Sequence, residues 1–177
     1  MNAGPPPHTD ELTTDRLALA RLRVSDAPEM QTVLADPVLY RFTGGSPPSL
    51  EQLEQRYRGQ IAGPDAPDVS WHNWIVRLRA EGSAVGFVQA TVTRDTADVA
   101  WLIGVPWQRQ RIAVEAASAV CDWLSTQGVR SLRAHIHPDH VASAKVARRL
   151  GMVATGDLDS DGEQIWTGQP SPPRTPG

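Results

Sequence analysis

Cysteine is almost missing from this sequence: its 177 residues include one, Cys121. A lone thiol builds no internal disulfide framework, so the chain has to be held by its core, as in a reducing compartment. Lysine is equally scarce, with Lys145 alone and every other cation an arginine. Lys and Arg number 17 against 20 Asp and Glu, for a net charge of −3 and a pI near 5.9. The broad basic surface of a nucleic-acid binder is therefore not expected. No apolar run approaches the ~18 residues of a membrane span, and MNAGPPPHTDELTTDR lacks the basic and apolar regions of a signal peptide. The expectation is a cytoplasmic protein without nucleic-acid or membrane partners.

What is present is ordinary for a globular chain: 40% hydrophobic and 21% charged residues, with a length of about one domain. Residues 1–10 and 168–177 are rich in Pro, Gly or Ser with little to bury and read as tails. The folded body is expected over 11–167. Arg16 to Leu22 alternates with period two, which predicts a half-buried strand. Ser25 is placed to cap a helix with Met30, Val33 and Leu34 at helical spacing, closed by Asp36-Pro37. Ser49 opens a second helix striped by Leu50, Leu53, Tyr57 and Ile61, closed by Gly63-Pro64.

Three strands are then predicted, Trp71–Arg79, Ala84–Val92 and Ala97–Val105, with turns at Glu81-Gly82-Ser83 and Arg94-Asp95. From Gln108 the apolar period becomes helical through Ile112, Ala116, Val120 and Leu124, ending at Gly128. Leu132–Ile136 reads as a strand, His140–Leu150 as a helix, and Met152–Gly156 and Glu163–Thr167 as terminal strands around a polar turn. Strands and helices in this order predict an α/β (α+β) domain, a mixed sheet with helices on its faces.

Within this frame, the stretch Ala97 to Ala116, and in it Gln108-Arg109-Gln110-Arg111-Ile112-Ala113, resembles the GNAT superfamily of acyl-CoA-dependent N-acetyltransferases. There a strand runs into a Gln/Arg-x-x-Gly-x-Gly/Ala loop whose amides hold the cofactor's pyrophosphate at a helix N-terminus. The physics is that of unpaired N–H groups and a positive dipole end facing an anion. Gln108 and Ala113 match the ends of the motif, while Arg111 stands where the family has glycine. A side chain there is expected to stay at negative φ. Either Arg109 and Arg111 replace backbone contacts with charge-assisted ones, or the loop belongs to a fold relative without turnover.

Pro138 to Met152 resembles the family's Asn-x-x-Ser helix ending in Leu-Gly-Phe, with His140 for the asparagine and Met152 for the phenylalanine. The likeness is greatest to the ribosomal-protein alanine acetyltransferase-like branch, as is Leu12-Thr13-Thr14-Asp15-Arg16-Leu17. It implies a mostly antiparallel central sheet with helices on both faces. It also implies that Ser143 protonates the leaving thiolate and that Asp98, on the strand before the loop, serves as general base. Ile103 and Val105 would offer main-chain groups to the pantetheine arm, and Gln108, Arg109, Gln110, Arg111, Ile112, Ala113 and His140 would line the cofactor site. His72 is an alternative base, and Tyr40, Phe42 and Trp71 are candidates for an acceptor pocket.

His135-Ile136-His137-Pro138-Asp139-His140 is similar to the metal signature of the metallo-β-lactamase superfamily. No histidine follows His140 to complete such a site, so no metal is expected. The reading is an acyl-CoA-dependent N-acyltransferase moving acetyl from acetyl-CoA to a primary amine, on a small molecule or a protein N-terminus, with a homodimer left open. A non-catalytic relative that binds CoA or a partner is the alternative, and a metal-dependent hydrolase built on His135, His137 and His140 a remote one.

Overall fold

A computed structural model describes residues 11–171. The expected N-terminal tail lies outside the described residues, as do residues 172–177. Gly168, assigned to the C-terminal tail from sequence, instead pairs with Leu132 at the end of the last strand.

The chain forms one eight-stranded sheet. Strands β1 (Glu11–Thr13), β2 (Leu17–Arg21), β3 (Val69–Leu78), β4 (Ala84–Thr93), β5 (Thr96–Ile103), β6 (Ser131–Ile136), β7 (Val153–Leu158) and β8 (Gln164–Gly168) lie in the order β1-β2-β3-β4-β5-β6-β8-β7. Only the β5–β6 pair is parallel. Helices α1 (Ala27–Val33) and α2 (Leu50–Ala62) connect β2 to β3, α3 (Ile112–Thr126) connects β5 to β6, and α4 (Val141–Arg149) follows β6. No helix among the described residues is long and apolar enough to cross a membrane.

Strand alternation sends side chains to opposite faces. Leu17, Leu19, Trp74, Val76, Val88, Ala90 and Val99 pack on Ile112, Ala116, Val120 and Leu124 of α3 and Ala147 of α4. Ile75 instead meets Met30, Val33, Leu53 and Tyr57 of α1 and α2, with Phe87 and Leu102 beside it. The expected mixed, mostly antiparallel sheet with helices on both faces is what forms. Arg77 ties the second layer on, reaching Asp26 at 2.9 Å and Glu29 at 2.7 Å.

Local chemistry accounts for most element ends. Ser49 Oγ accepts the Gln52 N–H and Gln52 Oε1 accepts the Ser49 N–H, a reciprocal cap that starts α2. Ser25, expected to cap α1, lies inside a 3₁₀ turn over Val24–Asp26, and Asp26 precedes the helix instead. Its carboxylate accepts the Arg23 N–H at 2.8 Å, which closes that turn first. Strand β1 is new relative to the sequence reading; three residues carry too little periodicity to be seen. Gly86 is required where β4 meets β5, since a Cβ there would lie 2.1 Å from the Leu102 carbonyl oxygen.

Candidate active site

Strands β5 and β6 pair only through Thr96, Ala97 and Asp98 against Ser131, Leu132 and Arg133. Both continue, to Ile103 and Ile136, without pairing to each other. The edge of β5 that faces this gap follows from the ladder on its other side. The Gly104 N–H donates to the Val85 carbonyl at 2.8 Å, so Ile103 opposite Gly86 is a non-hydrogen-bonded pair and its own N–H and C=O point away from β4. By the same alternation the main-chain groups of Trp101 point into the gap. The Ile103 carbonyl accepts Gln108 Nε2 at 2.9 Å.

Val105 departs from the sequence expectation. The strand stops at Ile103, and Val105 begins a 3₁₀ turn through Trp107 whose Val105 carbonyl takes the Gln108 N–H at 3.2 Å. Gly104 makes the change of direction because Val33 and Trp107 leave no room for a Cβ, which would sit 2.9 Å from Val33. Trp101 and Ile103, rather than Ile103 and Val105, thus present backbone to the gap.

The helix expected from Gln108 begins four residues later, at Ile112. Arg109 and Arg111 explain the delay, with φ of 62° and 63°. This corrects the expectation that a side chain at the glycine position holds negative φ: Arg111 adopts the left-handed conformation (ψ 11°) that a glycine would. Both arginines and Gln110 are exposed, so a Cβ meets little. Arg111 supplies no side-chain cap to α3. Among the described residues, the N–H groups of Arg109, Gln110 and Arg111 have no acceptor, and those of Ile112, Ala113 and Val114 are the orphans of a first helical turn. Alternating left-handed residues leading into a helix turn such groups toward a common anion. This loop therefore fits a pyrophosphate.

The one acid of that first turn is neutralised from outside. Glu115 accepts Thr14 Oγ1 and the Arg16 guanidinium, and a second arm of Arg16 reaches the Gln110 carbonyl at 3.1 Å. Burial works to raise the Glu115 carboxyl, but these hydrogen bonds prevail and hold it below its ordinary value. The β1–β2 turn is thereby tied to the loop.

Across the gap, His140 caps α4, its Nδ1 accepting the Ser143 N–H at 3.4 Å. This is the role that the asparagine of the motif would fill. The Ser143 hydroxyl is half-buried and has no partner among the described residues. Phe42, from the loop between α1 and α2, stacks on His140 at 4.6 Å and reaches His137 at 5.4 Å. Burial first, and the neighbouring His137 second, push the His140 imidazole below its usual pKa.

Asp98 occupies the last paired position of β5, where the gap begins. Arg133 grips both of its carboxylate oxygens, and His135 Nε2 lies 3.3 Å from one of them. His135 Nδ1 meets Asp159 at 2.6 Å. The Glu163 N–H above all, against slight desolvation and with His135 and the Asp161 N–H, holds the Asp159 carboxyl below its ordinary range. Among the described residues, no hydrogen bond joins this network to Ser143.

The three histidines do not converge. His137 Nδ1 accepts the Asp139 N–H and His140 Nδ1 caps α4, while His135 sits between carboxylates. Among the described residues, the group whose donor atoms lie within 4.8 Å of one another is His135, Asp159 and Glu163. The arrangement needed by the hydrolase alternative is thus not formed.

An open cleft of about 790 Å³ runs from the α1–α2 loop to β5, lined by Tyr40, Gln52, Arg56, Phe87, Gln89 and Trp101 among others. Tyr40 lines this cleft, whereas Trp71 lines a separate groove with His72. His72 is buried against Trp74 and Trp123 and meets Ser70 at 2.9 Å. Sequence reasoning missed Arg56 and Gln89, which look like the polar side of an amphipathic helix and of a strand.

A family model described as an acetyltransferase (GNAT) domain matches residues 16–153. No curated protein matches in sequence. Solved structures with the same fold include a GNAT-family acetyltransferase from Bacillus anthracis (15% identity, TM-score 0.78, 90% of this chain and 98% of that one). An acetyltransferase from Agrobacterium tumefaciens is 21% identical, with a TM-score of 0.73 over 95% and 99% of the two chains. RimL, a ribosomal L7/L12 α-N-protein acetyltransferase in complex with coenzyme A, is 16% identical, with a TM-score of 0.75 over 89% and 95%. With the family model covering most of the chain over the same strand, loop and helix that form the gap and anion cradle, this chain belongs to the GNAT acetyltransferase domain family.

Proposed function

We propose that the protein moves an acetyl group from acetyl-CoA to a primary amine by direct attack, with no covalent enzyme intermediate. The observation that carries this reading is the cradle of N–H groups at Arg109–Ala113 without acceptors among the described residues, opening beside the edge of β5 that β6 leaves unpaired. Acetyl-CoA, when bound, supplies an activated thioester carbonyl. The cradle and α3 hold its pyrophosphate, with Arg109 and Arg111 adding charge. Main-chain groups of Trp101 and Ile103 hold the pantetheine arm in the gap and polarise the carbonyl. Asp98 and His135 receive the proton that the acceptor's ammonium must lose, through water, and the free Ser143 hydroxyl returns a proton to the leaving thiolate.

Arg111, the departure that favoured a non-catalytic relative, leaves the loop backbone in the glycine-like conformation. Calorimetry with CoA and thiol release on an amine panel test the proposal. Binding at the cradle with amine-dependent thiol release is expected; no heat with CoA in large excess would overturn it.

A further inference from the structure

The cleft on the acceptor side has an uneven charge. Among the described residues that line it, Arg56 is the only ionised one, and no carboxylate is present. Its other polar side chains, among them Tyr40, Thr43, Ser46, Gln52, Gln55 and Gln89, are uncharged. Arg56 is exposed and makes no ion pair or hydrogen bond among the described residues, in contrast to Arg58 on the same helix, which pairs with Glu54 at 3.0 Å. A cationic amine acceptor needs carboxylates to hold its extra charges, and a cleft with one arginine repels it. Unpaired guanidinium at the wall of a substrate cleft is instead suited to a carboxylate or phosphate.

A second observation lies deeper in the same wall. Leu34, Arg56, Phe87 and Gln89 also border a smaller cavity of about 150 Å³, whose floor includes Leu53, Tyr57 and Asn73. Tyr57 is 4% exposed, and its hydroxyl has no hydrogen-bond partner among the described residues. Buried phenols ordinarily have one. A cavity of this size takes a group of about six heavy atoms, and this one offers a mixed apolar and polar lining with an unanswered hydroxyl. Burial, with the Asp26 charge adding to it, pushes the Tyr57 phenol far up, so it remains a neutral hydroxyl at any working pH.

We propose that the acceptor is an amine that itself carries an anion, held by Arg56, and a side group with a polar atom that enters the inner cavity beside Tyr57. An amino acid, an aminophosphonate and an acidic peptide N-terminus share this chemistry; polyamines and aminoglycosides lack it. The inference rests on the acetyltransferase reading and adds the acceptor's class to it.

The test is thiol release from acetyl-CoA with matched amines: an α-amino acid, its carboxamide, its aminophosphonate analogue, a tetrapeptide with an acidic N-terminus, and spermidine. The anionic amines should exceed the carboxamide and spermidine in kcat/KM by tenfold or more. The free amino acid against the tetrapeptide identifies a small molecule or a protein N-terminus as the source of the anion. Arg56→Ala should raise KM for the anionic amines about tenfold and leave KM for the carboxamide and the CoA affinity unchanged. Tyr57→Phe should raise the acceptor KM without lowering Tm, because it removes a hydroxyl with no partner among the described residues. Turnover of spermidine above the anionic amines, or an Arg56→Ala effect equal on acid and amide, overturns the proposal while leaving the acetyltransferase reading intact. Failure of CoA to bind overturns both.

Discussion

Arg111→Gly and Arg111→Ala together measure what the left-handed loop costs and what it does. An L-residue in that conformation costs about 1–2 kcal/mol relative to glycine, and Arg111 sits there at φ 63°. Glycine releases this strain, but it also gives the unfolded chain more freedom, an opposing loss of about 0.4–1 kcal/mol relative to alanine. The difference is roughly 0.5–1 kcal/mol in favour of Arg111→Gly over Arg111→Ala. For a chain of this length that is about 1–4 °C in Tm, within reach of scanning calorimetry on both variants. CoA titration then separates charge from backbone. If the guanidinium pairs with phosphate, both variants lose a charge-assisted bond of about 1.5–3 kcal/mol, tenfold or more in Kd. Wild-type affinity should also fall as salt rises. Alanine more stable than glycine by several degrees would refute the strain argument. Unchanged CoA affinity in both variants, with no salt dependence, would refute the charge argument and leave the backbone cradle alone responsible.

Ser143→Ala should lower kcat at least tenfold with the CoA Kd unchanged, measured by thiol release beside calorimetry; an unchanged kcat removes Ser143 from thiolate protonation. His140 gives a pH prediction. Its folded pKa lies below the ordinary 6.5, so its neutral, cap-forming state contributes stability that is complete above about pH 6.5 and lost as pH falls through the folded value. His140→Asn keeps the cap without the titration, and its urea midpoint should fall less between pH 7.5 and 5.5 than that of the wild type; equal falls would count against the cap. Cys121, buried and with Asp122 beside it, has its thiol pushed up to about 12, so iodoacetamide at pH 8 should label it only after unfolding. Gly86→Ala should cost about 1–3 kcal/mol or more from the clash with the Leu102 carbonyl, read as a lower denaturation midpoint; a stability equal to wild type would mean β4 can move away from β5.

Elements with long, regular periods were legible from sequence. The ten-residue strands β3 and β4 and the apolar stripe of α3 repeat their signal several times, and burial rewards the same pattern in any fold that uses them. Ser49 announced the start of α2 because an N-cap is local chemistry. The order of elements and the loop from Gln108 to Ala113 pointed to the family for the same reason: each feature lies within a few residues of chain. The left-handed turns at Arg109 and Arg111 were not legible, because arginine seldom adopts positive φ and the loop is pinned by tertiary hydrogen bonds such as those of Gln108 to Ile103 and Arg16 to Gln110.

Contacts between distant segments decided the rest. His135, His137 and His140 are neighbours in sequence, and spacing alone let them share a metal. Asp98, Asp159 and Phe42, which lie far away along the chain, draw them to separate tasks. Arg56 and Tyr57 are adjacent residues of one amphipathic helix, one exposed and one buried as the stripe requires. That they line one cavity with Phe87 and Gln89 depends on how α2 lies over β4. Periodicity determines which face of each element is buried, a property of the element itself. Which side chains meet in a cleft is set by the packing of elements remote in sequence, and that only the tertiary structure decides.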